Sequence, residues 1–256
     1  LQPWVYASGC FGVGMRRSTM ATIDTYGPQE PVVAHVDSAV LAELIRLALT
    51  ARSKTPDVVA SPDILNSRLD FLRQTIGDSR ESKIAFERII GGDELQPITY
   101  LERGVIAARA VARMDLGSQG FGTGFLISPR VLITNNHVLP DPTVAARARA
   151  QFRYELDLAD TELPPINYRL LPNELFHTRQ DLDYTVVAVE AVSQENATPL
   201  SDFGCLPLVE ATGKISEGEW LTVIQHPDGA RKRICVRENR FIKRAENFIW
   251  YTTDTK

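Results

Sequence analysis

The sequence predicts a mostly β domain preceded by a small α-helical region. Three observations carry that expectation. Apolar residues recur at helical spacing within residues 37–104. From about residue 105 the apolar residues instead form short runs of strand length. Glycines cluster between those runs, and many short strands with glycine-rich turns indicate a barrel or sandwich. A chain of 256 residues with 44% apolar and 23% charged side chains can bury a core of its own.

The elements follow in order. Residues 1–36 show no period and are punctuated by Gly9, Gly12, Gly14, Gly27, Pro28 and Pro31, which predicts an irregular N-terminal segment. Ser38 caps a helix with Leu41, Leu44, Ile45, Ala48 and Leu49 on one face. Ser61-Pro62-Asp63 starts a second helix: a hydroxyl cap, a proline where the missing N–H has no partner to lose, then an acid at the positive end. Leu65, Leu69, Leu72 and Ile76 continue it and Gly77 ends it. Asp78 and Glu81 form a capping box for a third helix with Ile84, Phe86, Ile89 and Ile90, stopped by Gly91-Gly92. These three helices make up a helical region over 37–104, which could dock a regulatory protein partner, gate the domain that follows or simply buttress it. The β region spans 105–256. Its strand candidates are Val111–Leu116, Phe125–Ile127, Val131–Ile133, Tyr184–Val189, Trp220–Ile224, Ile234–Val236 and Phe248–Tyr251.

Bulk properties narrow the function. A net charge of −4 argues against a nucleic-acid partner. The basic stretch Arg231–Arg244 alternates like a solvated strand face. Three cysteines, Cys10, Cys205 and Cys235, cannot build a disulfide framework, and this fits a cytoplasmic location. No apolar run approaches the roughly 18 residues of a membrane helix, so no membrane partner is expected. Leu1-Gln2-Pro3-Trp4 does not begin a secretory signal, and the missing initiator Met leaves the start open to being internal to a longer chain.

The chemistry concentrates in two motifs. Gly122-Thr123-Gly124-Phe125-Leu126-Ile127-Ser128 leads into Val131–Thr134 and then Asn135-Asn136-His137-Val138. About 46 residues later comes Asp181-Leu182-Asp183-Tyr184-Thr185-Val186-Val187. These residues resemble the first part of chymotrypsin-like serine peptidases, closest to bacterial trypsin-like enzymes of the glutamyl-endopeptidase and high-temperature-requirement type. The resemblance covers residues 105–256 and implies a double β-barrel whose second barrel is incomplete in this sequence. It implies that His137 is the general base and that Asp183 accepts the His Nδ1 proton in a hydrogen bond. Asp181 would face the same side of a strand as Asp183. Asp183 is preferred because the apolar run starts directly after it.

The family places a Gly-x-Ser-Gly loop where this sequence stops, at Tyr251–Lys256. Ser193, Ser201 and Ser216 lie in no such turn, and Cys205 and Ser8-Gly9-Cys10 have the wrong flanks for a nucleophile. The expectation is a serine endopeptidase acting on protein or peptide substrates, its serine supplied by a following segment or a second, cleaved polypeptide. The alternative is an inactive pseudoprotease that binds peptides or a partner. No metal and no organic cofactor are implied. Gln225-His226-Pro227 reads as a structural turn, and His177 and His35 lack supporting context. Arg88-Ile89-Ile90-Gly91-Gly92 resembles a trypsin-zymogen cleavage site but reads better as a glycine-capped helix end.

Overall fold

The computed structural model describes residues 62–76, 98–210, 214–216, 219–236, 239–245 and 248–251. The helices expected over 38–49 and 78–91, the Arg88–Gly92 motif, Ser8–Cys10 and His35 lie outside these residues.

Helix α1 spans Pro62–Ile76, with Asp63 in its first turn and Arg73 in its last, as its start and stop signals predict. Its inner face buries Arg68 and Leu72. Helix α2 spans Thr99–Arg109, so helix persists past residue 105, where the strand pattern was expected to begin. The reason lies in which residues it buries. Gly104 and Ala107 face the core, while Val105 and Ile106 are 59% and 62% exposed. Val105 and Ile106 point to solvent, and the small residues let the helix approach β1 closely.

The first half is one antiparallel sheet of seven strands in the order β5-β4-β1-β2-β3-β7-β6. Its strands are β1 (Val111–Asp115), β2 (Phe121–Ser128), β3 (Val131–Thr134), β4 (Arg149–Phe152), β5 (Ile166–Arg169), β6 (Phe176–Arg179) and β7 (Tyr184–Ala188). The ends of β5 and β7 meet. Leu170 bridges Val189, and Leu171 N–H donates to the Ala188 carbonyl at 2.8 Å, so the sheet curls shut and removes its free edge there. Met114, Leu126, Leu132, Phe152, Tyr168 and Val187 fill the interior with no exposed surface. Phe203 packs onto the Phe152 and Tyr168 rings at 4.7 and 6.0 Å between centroids.

Strands β4, β5 and β6 escaped the sequence pattern because their short runs, Arg-Ala-Gln-Phe, Ile-Asn-Tyr-Arg and Phe-His-Thr-Arg, carry few apolar residues. Cross-strand partners supply what propensity does not: Gln151 on β4 donates to Asn167 on β5 at 2.9 Å and accepts from Arg113 on β1 at 2.7 Å. Between β3 and β4, α3 (Pro142–Arg147) follows Asp141, whose carboxylate accepts the Thr143 and Val144 N–H groups.

The second half holds two hairpins, β8 (Val223–Gln225) with β9 (Arg233–Cys235), and β10 (Phe241–Ala245) with β11 (Phe248–Tyr251). The strand expected over Trp220–Ile224 changes partner midway. Leu221 N–H donates to Asn239 O and Phe241 N–H to Glu219 O, and from Val223 onward the pairing passes to β9. Leu221, Val223, Phe241 and Tyr251 form its buried cluster.

Candidate active site

Strand β3 ends at Thr134, and the chain turns at once. The Asn135 carbonyl accepts the Val138 and Leu139 N–H groups at 3.2 and 3.1 Å, a helical turn that lifts His137 clear of the sheet. Gly122 makes room for that turn, because a Cβ there would meet Val138 Cγ1 at 2.6 Å. Hydroxyls then lock the segment from below. Thr134 Oγ1 donates to Thr123 O at 2.8 Å, Thr185 Oγ1 donates to Leu139 O at 2.8 Å, and Asn136 Nδ2 donates to Thr178 Oγ1 at 2.7 Å.

Asp183 stands at a different kind of position from the one expected. It is the last residue of the turn Gln180–Asp183 joining β6 to β7, with φ of 49°. This left-handed conformation is one that Asp tolerates better than most side chains. The same-face argument for Asp181 therefore does not apply, since neither residue is in a strand. Asp181 turns away and pairs with Arg179 at 2.8 and 2.5 Å, and that hydrogen bond holds its carboxyl below the ordinary range.

The structure brings His137 and Asp183 together. Asp183 Oδ2 lies 2.8 Å and Oδ1 3.1 Å from His137 Nδ1, and Oδ1 also accepts the His137 backbone N–H at 3.0 Å. Asn135, buried to 2% exposure, donates Nδ2 to Asp183 Oδ2 at 2.9 Å. The carboxylate thus has three donors, which set both its position and its rotamer. Facing an ionised carboxylate, Nδ1 must carry the ring proton, so neutral His137 presents the Nε2 lone pair. The His137 side chain is 64% exposed, and no hydrogen bond among the described residues engages Nε2.

Asn135 is the functional residue that sequence reasoning missed. Its signal was present as the first Asn of Thr-Asn-Asn-His, directly after a buried strand.

His226 is structural, as its turn context predicts. It is 4% exposed, its N–H donates to Thr123 Oγ1 at 3.0 Å, and its Nδ1 lies 3.0 Å from Ala230 O. Burial pushes its pKa down to about 3, so the ring is neutral and Nδ1 carries the proton. His177 on β6 pairs with the Tyr184 hydroxyl at 3.1 Å, away from Asp183. Ser193 and Ser216 are buried to 1% exposure, Ser201 is exposed in the 3-10 turn Leu200–Phe203, and Cys205 packs against the first core. None of these contacts the dyad. Among the described residues no cluster of His, Cys, Asp or Glu is arranged to hold a metal ion.

The family of trypsin-like peptidase domains matches residues 122–256, from the glycine before β2's buried run to the last residue. The chain belongs to the trypsin-like peptidase domain family. A curated relative, the uncharacterized protein y4fB of Sinorhizobium fredii (strain NBRC 101917 / NGR234), is 47% identical over 184 residues, 66% of this chain. The chain spans 28% of that relative's length. Among solved structures, the inactive form of the Rv3671c protease of M. tuberculosis H37Rv is 19% identical, with a TM-score of 0.36 over 57% of this chain and 60% of that one. Deg5 is 18% identical, with a TM-score of 0.37 over 60% of this chain and 68% of its own.

Proposed function

We propose that this chain carries the base and the orienting carboxylate of a serine endopeptidase acting on protein or peptide substrates. The serine comes from the following segment of the full-length protein or from a second, cleaved chain. The observation that supports this most directly is the His137 Nδ1–Asp183 Oδ2 contact of 2.8 Å on a His137 side chain that is 64% exposed, in a trypsin-like peptidase domain.

In that reaction His137 Nε2 takes the proton of the serine Oγ as Oγ bonds to the scissile carbonyl carbon and the carbonyl π pair moves onto oxygen. The imidazolium then delivers the proton to the leaving amine as the C–N bond breaks, leaving an ester. Water repeats the sequence, giving its proton to Nε2 as its oxygen bonds to the ester carbonyl carbon, and Nε2 returns the proton to Oγ as the acid leaves. Asp183 remains ionised throughout; it holds the tautomer and stabilises the imidazolium. Asn135 holds Asp183. The site needs no metal or organic cofactor for these steps.

A fluorophosphonate probe on the full-length protein tests the reading. Labelling of a serine in wild type that is lost in His137→Ala supports it. A stable, folded full-length protein that neither labels nor hydrolyses any member of a broad peptide library refutes it and favours a peptide-binding pseudoprotease.

A further inference from the structure

A buried polar staple joins the N-terminal helices to the second half. Arg68, 1% exposed on α1, donates Nε and Nη2 to Glu219 Oε1 and Oε2 at 2.7 and 2.9 Å. Glu219 also accepts the Ser216 N–H at 3.2 Å. On α2, the Tyr100 hydroxyl shares a hydrogen bond with Thr222 Oγ1. Burial pushes the Glu219 carboxyl up, and the Arg68 guanidinium and Ser216 amide pull it back.

Glu219 and Thr222 open a segment whose other end is His226. There the His226 N–H donates to Thr123 Oγ1 at 3.0 Å, and Thr123 O accepts Thr134 Oγ1 at 2.8 Å. Thr134 directly precedes Asn135, which holds Asp183. Segment 219–226 is therefore pinned at one end by the helices and at the other on the residues beneath the dyad. A buried ion pair is a poor choice for stability alone, because taking both charges out of water offsets their attraction. A bidentate guanidinium–carboxylate pair adds geometry: it admits one register of α1 against residue 219.

We propose that Arg68 and Tyr100 are positioning residues, and that α1 and α2 form an intramolecular clamp aligning Asp183 and His137 through segment 219–226 and Thr123. The catalytic consequence rests on the peptidase reading; the structural consequence does not.

The test uses the full-length protein and three variants: Arg68→Met, Tyr100→Phe, and Arg68→Met combined with Glu219→Leu. The double variant removes both charges of the pair and keeps apolar bulk on both sides. Two readouts are taken: peptide hydrolysis, and the His137 ring Nδ1 proton by nitrogen-edited NMR. The double variant is expected to melt near wild type yet to lose about tenfold in kcat with KM within about twofold, because small misplacements of reacting groups are costly. Its Nδ1 proton signal should broaden as the Asp183 contact loosens. Tyr100→Phe, with one hydroxyl removed, should lose about two- to threefold in kcat by the same misalignment.

Wild-type kcat and an unchanged Nδ1 signal in both the double variant and Tyr100→Phe would overturn the clamp and leave the helices as a buttress. If Arg68→Met does not fold, those two variants carry the test. If the wild type hydrolyses nothing, the peptidase reading fails, and the Nδ1 signal alone decides the clamp: broadening supports it, no change ends it.

Discussion

From Val111 to Ala188 a seven-stranded sheet closes over a large buried apolar core, whereas in the described part of the second half Leu221, Val223, Phe241 and Tyr251 form a smaller cluster, Ile224 packs into the first core, and polar contacts add further ties to other regions. Those contacts are directional. Besides Arg68–Glu219 and Tyr100–Thr222, Lys232 places Nζ 2.8 Å from both Ala108 O and Glu155 Oε2. Burial pushes the Lys232 ammonium down and Glu155 pulls it up. Arg113 on β1 donates to Gly229 O at 2.8 Å while its guanidinium lies between the rings of Tyr154 and Phe121, 3.7 and 4.5 Å from their centroids.

The difference teaches where each half gets its geometry. Apolar burial is non-directional, so the first half obtains its register from strand pairing and keeps the dyad in place with hydroxyls. The described part of the second half has the smaller apolar cluster and adds hydrogen bonds to other regions, each of which demands a particular distance and angle.

The dyad belongs to the half with the larger core, so the largest effect should be chemical and not structural. Asp183→Asn in the full-length protein should reduce kcat by roughly 10⁴-fold with the melting temperature nearly unchanged, because an amide favours the wrong imidazole tautomer. Steady-state kinetics with circular dichroism checks this. A large loss of fold instead would show that the turn carrying Asp183 holds the first half together, and the comparison would break.

The polar half should be more fragile to single charge removals. Arg68→Met leaves the Glu219 carboxylate buried without its partner and should cost about 3–5 kcal/mol. Hydrogen exchange should locate the loss at residues 219–245 and leave β1–β3 protected. Equal loss of protection in both halves would mean they unfold as one unit.

Gly122→Ala tests the first half where it is tightest. The new methyl meets Val138, so about 1–3 kcal/mol of strain is expected, with activity falling more than stability. Denaturant titration beside kinetics separates the two.

Acid should act on the second half through His226. Its folded pKa of about 3 lies below the ordinary value of 6.5. Between these values the unfolded chain binds a proton that the folded one refuses, so stability is full above the higher pKa and falls as pH drops through the window. His226→Asn, whose amide keeps a donor for Ala230 O, should flatten that slope between pH 6 and 4 in pH-dependent melting. A slope identical to wild type would assign acid sensitivity elsewhere.

The smallest effect sharpens the choice between neighbouring carboxylates. Asp181→Asn should leave kcat at the wild-type level, since Asp181 is exposed and its ion pair among the described residues is with Arg179 beside its own turn.

Much of this was legible in the chain itself. The start of α1, the runs of β1, β2, β3 and β7, the turn after β8, and the motifs around His137 and Asp183 all announce themselves through local pattern. Local pattern suffices there because period, caps and turn residues act over a few positions. It failed for β4, β5 and β6, whose residues become strand only because neighbours offer paired backbone and side-chain partners. The change from helix to strand comes a few residues after the expected boundary at about 105, because Gly104 and Ala107 pack against the core and carry the helix on to Arg109. The chain named the two dyad residues, but not that Asp183 occupies a left-handed turn, that Asn135 holds it, or that Arg68 reaches a carboxylate 151 residues away. Those are contacts between segments distant in sequence, and their distances exist only once the sheet has closed and the helices have docked.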